Sequence, residues 1–371
     1  MTLSSAPTAA ADNAETRYAV EVAEPASLNW DRLVSPFLDG CLEQSAAYMA
    51  PRWGMDRLCG LLLREVPTNE IAAAALAVIF TLPVLSAGLA YVKFGPLWRA
   101  NGFADVAVLR AVLQALKNEF AIHRRLLLRI MPPAEADGAD IWPKELERAG
   151  FTRSSVPDDD KRYLVNLALS EAEQRRSLGA KWRANLVKAQ AGPLTFREVE
   201  VASGLPDFMT LYRAMHDRKR FVDRHKVHHL GDFAAALTPD FGLRLFMAYE
   251  NDTPVAGTIL AGNGDRLFVP YSATSDRGIA LRAGYALRWW VIGRLRGSRH
   301  RWLDLGGVEG DQGLRRYKEG NVGKRGCIAT LPGEYDFCVS KVSAATTSAI
   351  DLMRVAMNAL PTGSRKAGTK S

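Results

Sequence analysis

Apolar residues in this chain fall into short blocks whose spacing switches repeatedly between two and about three and a half. Tyr18 to Val22 predicts a short strand. Between Trp30 and Met49 the apolar positions Leu33, Phe37, Leu42 and Ala46 recur at helical spacing and predict one helix. Residues 57–64 predict a strand. From Ile71 to Val92 the chain runs 22 residues without a charge, long enough to cross a bilayer. Pro83 and Gly88 interrupt that run and alanine dominates it, so two buried strands joined by a turn are expected instead of a membrane span. Residues 104–125 predict a long amphipathic helix, 126–133 a strand, and 142–150 a short helix stopped by Gly150. A strand at 162–169 then leads into a polar helix over 170–191.

The second half repeats this grammar. A strand at 194–201 and a helix at 205–221 precede three strands within 243–274. Asn251-Asp252 and Gly262-Asn263-Gly264-Asp265 link those strands and are the strongest hairpin signals in the chain. A helix over 283–296, a strand at 301–305, a late strand pair within 326–340 and a closing helix from 344 complete the order. Strands followed by a helix that feeds a further strand occur in both halves. The expectation is two copies of one mixed α/β unit, over 29–165 and 166–345, with a site near their seam. A small-residue tail (1–28) and a closing helix and tail (346–371) flank them. The opening residues lack the basic start and apolar run of a signal peptide, and both tails are expected to be disordered.

At 371 residues, 48% hydrophobic and 24% charged, the chain is expected to be a globular protein with room for two cores. A net charge of +8 favours an anionic partner: phosphate, nucleic acid or a membrane surface. Cys41, Cys59, Cys327 and Cys338 lie far apart without a CxxC spacing, so reduced thiols are expected rather than a zinc site or disulfides. His225, His228 and His229 complete no ligand spacing with Asp223 and Asp232, and a solvated basic loop is expected there. No metal or redox cofactor is indicated.

The stretch Leu303 to Gly323 reads differently from a connector. A strand end at Asp304 runs into glycines, then Arg315, Arg316, Tyr317 and Lys318, then glycine again. Four segments in order resemble the Fem family of peptidoglycan-bridge aminoacyltransferases. Gln44 to Arg52 (QSAAYMAPR) looks like that family's opening helix. Residues 93–99 (KFGPLWR) are similar to its Gly-Pro turn, 178–190 (LGAKWRANLVKAQ) to its Lys-x-Arg helix, and LRRYKEGNVG to its aromatic-Lys-x-Gly element. The resemblance covers about 30–340. It implies an α/β fold of tandem GNAT-like (acyl-CoA N-acyltransferase-like) domains, and transfer of an activated acyl group onto an amine. The donor it implies is aminoacyl-tRNA, and the acceptor a nucleotide- or lipid-linked cell-wall precursor.

In the family's terms Lys318 stabilises the oxyanion formed as an amine attacks the acyl carbonyl, with Tyr317 packed beside it. Gly313, Gly320 and Gly323 are expected to bring backbone close to substrate. Arg52 and Arg218 take the positions of residues that meet precursor phosphates, and an arginine there permits a two-pronged grip. Lys181, Arg183 and Lys188 fall on neighbouring faces of one helix and either grip a polyanion or solvate that helix. Tyr271 and Ser272, at the end of a predicted strand, are candidates for the acceptor pocket. Asp304 either takes a proton from the attacking amine or caps a turn.

Acyl-CoA is the rival donor, for an N-acyltransferase of polysaccharide or lipid metabolism. GNAT enzymes cradle pyrophosphate on backbone N–H groups at a helix start. Arg277-Gly278-Ile279-Ala280 and Arg282-Ala283-Gly284-Tyr285-Ala286 each resemble half of that loop. A third reading is a non-catalytic protein that associates with nucleic acid or membrane through its basic faces, including Arg294, Arg296, Arg299 and Arg301. Beyond a co-substrate, no cofactor is expected. The expected partners are a phosphate-bearing precursor and charged tRNA, and the expected location is the cytoplasm, at the inner face of the membrane if the precursor is a lipid.

Overall fold

A computed structural model describes residues 17–82, 87–100, 104–136, 141–154, 161–220, 227–237, 241–308, 311–348 and 351. These form a mixed α/β structure with two seven-stranded sheets. The strands are β1 (Tyr18–Ala23), β2 (Leu58–Glu65), β3 (Ile71–Leu82), β4 (Ala87–Lys93), β5 (Leu127–Met131), β6 (Thr152–Arg153) and β7 (Lys161–Asn166). They continue with β8 (Leu194–Val199), β9 (Arg244–Glu250), β10 (Thr253–Ala261), β11 (Arg266–Thr274), β12 (Trp302–Asp304), β13 (Cys327–Thr330) and β14 (Tyr335–Phe337).

The first sheet runs β6-β14-β5-β4-β3-β2-β1 and the second β13-β7-β12-β11-β10-β9-β8. Position by position the two are the same design, each with a single parallel pair, β4 with β5 and β11 with β12. In both, the strand next to the edge comes from elsewhere in the chain. β7, which follows β6 in sequence, crosses to the second sheet, and β14, which follows β13, returns to the first. The two repeats thus exchange their last strands. A buried arginine fixes the return: Arg129 on β5 lies 2.7 Å from Asp336 on β14, 2.7 Å from Asp351 and 3.4 Å from Glu334. Burial alone would disfavour that guanidinium, and the surrounding carboxylates hold its pKa above the ordinary value.

The 71–92 run is two antiparallel strands, β3 and β4, with Ala73 to Val78 all buried. No helix among the described residues is long and apolar enough to cross a membrane. The helix expected over 30–49 is instead broken into Trp30–Val34, a 3₁₀ turn at Leu42–Gln44, and Ala46–Trp53. Pro36 and Gly40 lie in the break, and Ser45 starts the last piece by accepting a hydrogen bond from Tyr48 N at 3.2 Å. Asp31 secures that start by accepting from Ser45 Oγ, Ala46 N and Ala47 N. The helix expected over 170–191 likewise breaks at Leu178-Gly179, into Glu171–Ser177 and Ala180–Gln190. Much of the expected closing helix lies outside the described residues.

One buried cluster crosses the seam. Trp30, Tyr48 and Met49 of the first repeat pack with Phe208, Tyr212, Phe233 and Tyr271 of the second. Polar ties reinforce it: Asp265 N donates to Leu38 O at 2.7 Å, and Arg99 pairs with Asp265 at 3.3 Å. Shared apolar burial of this extent fixes the two repeats as one body.

Candidate active site

The two parallel pairs differ in how far they stay closed. In the first sheet, β4 and β5 pair from Leu89↔Leu127 to Lys93↔Met131, the last residue of each. In the second, β11 and β12 pair only from Arg266↔Trp302 to Phe268↔Asp304, while β11 continues to Thr274. Beyond Phe268 the edge of β11 that faces β12 is therefore without that partner, and a wedge opens between the strands. Backbone groups along such an edge can hold an extended ligand as an added strand would.

Lys318 stands at the apex of this wedge. It lies on the helix Gln312–Val322, capped by Asp311, whose carboxylate accepts from Gly313 N and Leu314 N. Gly313 and Gly320 lie within this helix, and Gly323 ends it. Lys318 is 9% exposed, and its ammonium donates to the carbonyls of Leu305 and Gly307, just past the end of β12. These two carbonyl contacts fix the position of the ammonium at the end of β12. Gly320 and Gly323 are set close to protein neighbours. A Cβ at Gly320 would meet Trp182 Cβ at 2.9 Å, and one at Gly323 would meet Ser177 O at 2.2 Å, so both glycines serve helix packing. The break at Gly179 belongs to the same contact, because Gly179 N donates to Gly320 O at 2.9 Å.

Tyr317 points away from Lys318, into an aromatic group with Trp182 and Tyr285 at centroid distances of 6.0 and 5.1 Å. Its hydroxyl donates to Gly284 O at 3.0 Å, and burial raises its pKa, opposed by the neighbouring Arg288. Asp304 is 5% exposed and fully engaged: Arg162 grips it through Nη2 at 2.8 Å, and Gly306 N donates to its other oxygen at 2.8 Å. A carboxylate so occupied is a strut for the strand end and the following turn, which favours the capping role over that of a base.

A small cleft of about 60 Å³ lies between the repeats, lined by Asp39, Glu43, Arg162, Phe268 and Asp304 among others. Asp39 accepts from Trp98 N and Arg99 N, and burial pushes its pKa up to about 6. Tyr48 feels the charges of Glu43, Arg52 and Arg162 and neighbours Tyr271, so these residues share one region. Arg52 lies over the Tyr48 ring, 4.1 Å from its centroid, one helical turn on. Tyr271 is buried at the seam, edge-on to Tyr212 with ring centroids 6.2 Å apart.

Other expected residues stand apart. Arg218 is exposed at the end of β11, bound to Asp276 at 2.6 Å and to Thr274 O at 2.8 Å. Lys181 and Lys188 are exposed on a helix whose buried side is Trp182, Leu186 and Ala189, and Arg183 Nη1 donates to Arg175 O at 3.4 Å. Two residues that the sequence reading passed over belong to the site, Arg162 and Arg288. Arg162 had no signal in its strand, whereas Arg288 is a lone charge inside the apolar helix Ala283–Leu295 and could have been noticed.

The first half-loop, 277–281, forms no open phosphate cradle, whereas the helix Ala283–Leu295 starts at Arg282 without a side-chain cap. Residues Asp276–Ala280 close into a turn of helix, Gly278 N and Ile279 N are taken by Ser275, Leu281 N by Arg277 O, and Tyr285 N by Arg282 O. Arg277 itself is paired with Glu250 at 2.6 Å.

Residues 172–319 match the family described as "Acetyltransferase (GNAT) domain". The chain carries a GNAT domain. Its acyltransferase class follows from that match. Among solved structures, FemX shares 15% identity, with a TM-score of 0.72 over 89% of this chain and all of that one. The C-terminal domain of a putative lysylphosphatidylglycerol synthetase from Agrobacterium fabrum shares 14%, with a TM-score of 0.51 over 83% of this chain and 92% of that one. A conserved protein of unknown function from Bacteroides thetaiotaomicron shares 11%, with a TM-score of 0.58 over 86% and 99%. At these identities the likeness establishes the fold, which is GNAT in both repeats and FemX-like as a whole. None of the curated proteins compared matches the sequence.

Proposed function

We propose that the protein transfers an activated aminoacyl or acyl group to the amine of a phosphate-bearing cell-envelope precursor, with Lys318 stabilising the oxyanion. The observation that carries this reading is the placement of the Lys318 ammonium, held by two backbone carbonyls where β11 and β12 part. A donor lying along β11 would bring its carbonyl to that point. The cleft between the repeats, with Arg52, Arg162 and Tyr271 nearby, would bring the acceptor amine from the opposite side. As the amine adds, the carbonyl oxygen gains charge, and a fixed cation in a buried setting favours that state over the ground state. The amine's proton leaves to solvent or to the departing ester oxygen.

Among donors, charged tRNA is preferred to acyl-CoA. In the first half-loop Gly278 N, Ile279 N and Leu281 N are already bonded, and Arg277 is paired. The name of the Agrobacterium neighbour points the same way, since lysylphosphatidylglycerol is an aminoacyl group on a phosphate-bearing lipid. The test is to offer purified protein a mixed pool of charged tRNAs, and separately a series of acyl-CoAs, with amine-bearing precursors present. Deacylation dependent on acceptor with charged tRNA alone supports the reading. Turnover with acyl-CoA alone moves the function to N-acylation on the same fold.

A further inference from the structure

Arg288 is 6% exposed, yet no carboxylate among the described residues pairs with its guanidinium. Nη2 reaches Thr258 Oγ1 at 3.4 Å and Ser272 Oγ at 3.3 Å, both long contacts to neutral hydroxyls. Among the described residues Nε and Nη1 have no hydrogen-bond partner of good geometry, the phenol oxygen of Tyr317 being an acceptor close to the guanidinium. The Tyr317 phenol sits beside the guanidinium, with its proton given to Gly284 O. Every other strongly buried arginine chemistry here is different: Arg129, 3% exposed, is surrounded by three carboxylates. A buried cation with unused donors is costly, by several kcal/mol in general, unless an anion arrives to use them.

Access for such an anion exists. Ser272 is exposed although Arg288 is not, so the guanidinium is approached from the stretch of β11 beyond Phe268 that β12 leaves unpaired. Ser272 and Thr258 are directly paired across β10 and β11 and so lie on one face, the face covered by the helix that carries Arg288. Tyr317, from the neighbouring helix, forms a further wall.

We propose that Arg288 anchors an oxyanion subsite in the wedge, taking a phosphate or carboxylate group carried by the donor. The planar edge of a guanidinium matches the paired oxygens of either group. Thr258 and Ser272 then act as neutral supports that hold the guanidinium without satisfying it. Assignment of the ligand to the donor rests on the transfer reading above; the subsite itself does not.

The test is therefore made without donor, acceptor or turnover. Thermal unfolding of the wild type and of Arg288→Met and Arg288→Gln is followed in sodium chloride, sodium phosphate and sodium acetate at equal ionic strength. The expected result is a rise of at least about 2 °C for the wild type in phosphate or acetate over chloride. Both variants should lose that rise, and Arg288→Met in chloride should melt at or above the wild type, because an uncompensated buried charge has been replaced by an apolar chain. A shift with phosphate alone assigns a phosphoryl group, and a shift with acetate alone a carboxylate. The proposal is overturned if neither anion shifts the wild type, or if the variants keep the shift. It is overturned equally if Arg288→Gln, which still offers a donor to Thr258 and Ser272, fails to fold. Transfer could still be absent from a protein that passes this test, so the two readings fail separately.

Discussion

Arg162 and Asp304 meet through two donors on one carboxylate oxygen, Nη2 at 2.8 Å and Nε at 3.0 Å. The arginine is on β7, which crosses over from the first repeat, and the aspartate is the last residue of β12. The same guanidinium lies between Phe94 and Phe268, 5.4 and 4.9 Å from their ring centroids. A residue delivered by one repeat thus sets the strand end beside which the lysine of the other repeat is held.

Removing one partner of that buried pair takes from the other its closest ion contact. Asp304→Asn is expected to lower stability by roughly 3–5 kcal/mol. The double change Arg162→Leu with Asp304→Leu is expected to cost less than either single change. Because Asp304 is a strut, the pH profile of transfer in Asp304→Asn should keep its shape. Urea unfolding and a pH–rate series check both halves of this expectation, and a shifted acidic limb would restore Asp304 as a base.

Lys318→Ala is expected to lower kcat by about 10²–10³, the usual effect of removing one oxyanion donor, with the far-ultraviolet spectrum unchanged. Single-turnover rates with saturating substrates measure it. Transfer at the wild-type rate would end the assignment.

Arg52→Ala should act on acceptor binding instead. Loss of a charged contact to phosphate is expected to raise the acceptor KM by about tenfold or more, with little change in kcat. A fall in kcat with unchanged KM would place Arg52 outside the acceptor site.

Asp39 makes stability depend on pH. Its folded-state pKa, about 6, is above the ordinary value for a free aspartate, so the folded state holds the proton more tightly. The stabilising contribution is complete below about pH 4 and is lost as pH rises through 6. Relative to Asp39→Asn, the wild type should lose at most about 3 kcal/mol between pH 4 and pH 7. Denaturation series on both proteins across that window test this, and parallel curves would contradict it.

Gly320→Ala is expected to destabilise by about 1–3 kcal/mol and to slow transfer, since the added carbon meets Trp182 at 2.9 Å on the helix that carries Lys318. Calorimetry on the variant and on Gly313→Ala, whose added carbon meets only the Asp311 carboxylate at 3.1 Å, gives the contrast.

Hairpins and buried runs could be read from sequence because their signals are local. Asn251-Asp252 does turn β9 into β10, both residues having positive φ, and the uncharged 71–92 run is strand throughout its described part. The helix around Lys318 could not be read, because Gly313, Gly320 and Gly323 look like loop while they serve close packing on Trp182 and Ser177. Helical spacing across 30–49 was a coincidence of two short helices either side of Pro36 and Gly40. At the candidate site, Lys318 and Arg52 are the residues a motif singles out. Arg162 is not one of them, since its importance comes from crossing to the other sheet, and periodicity is blind to which sheet a strand joins.

The exchanged strands also impose an order on synthesis. About 180 residues separate the edge strand β6 from β14, the strand that must slide in beside it. At ordinary ribosomal rates that is a delay of roughly 10–40 s. During it β5 has no neighbour on that side, and Arg129 awaits the carboxylates of Glu334, Asp336 and Asp351. The nascent first half is thus a clamp with one jaw missing, exposed to chaperones and to other half-made copies until the far end of the chain arrives.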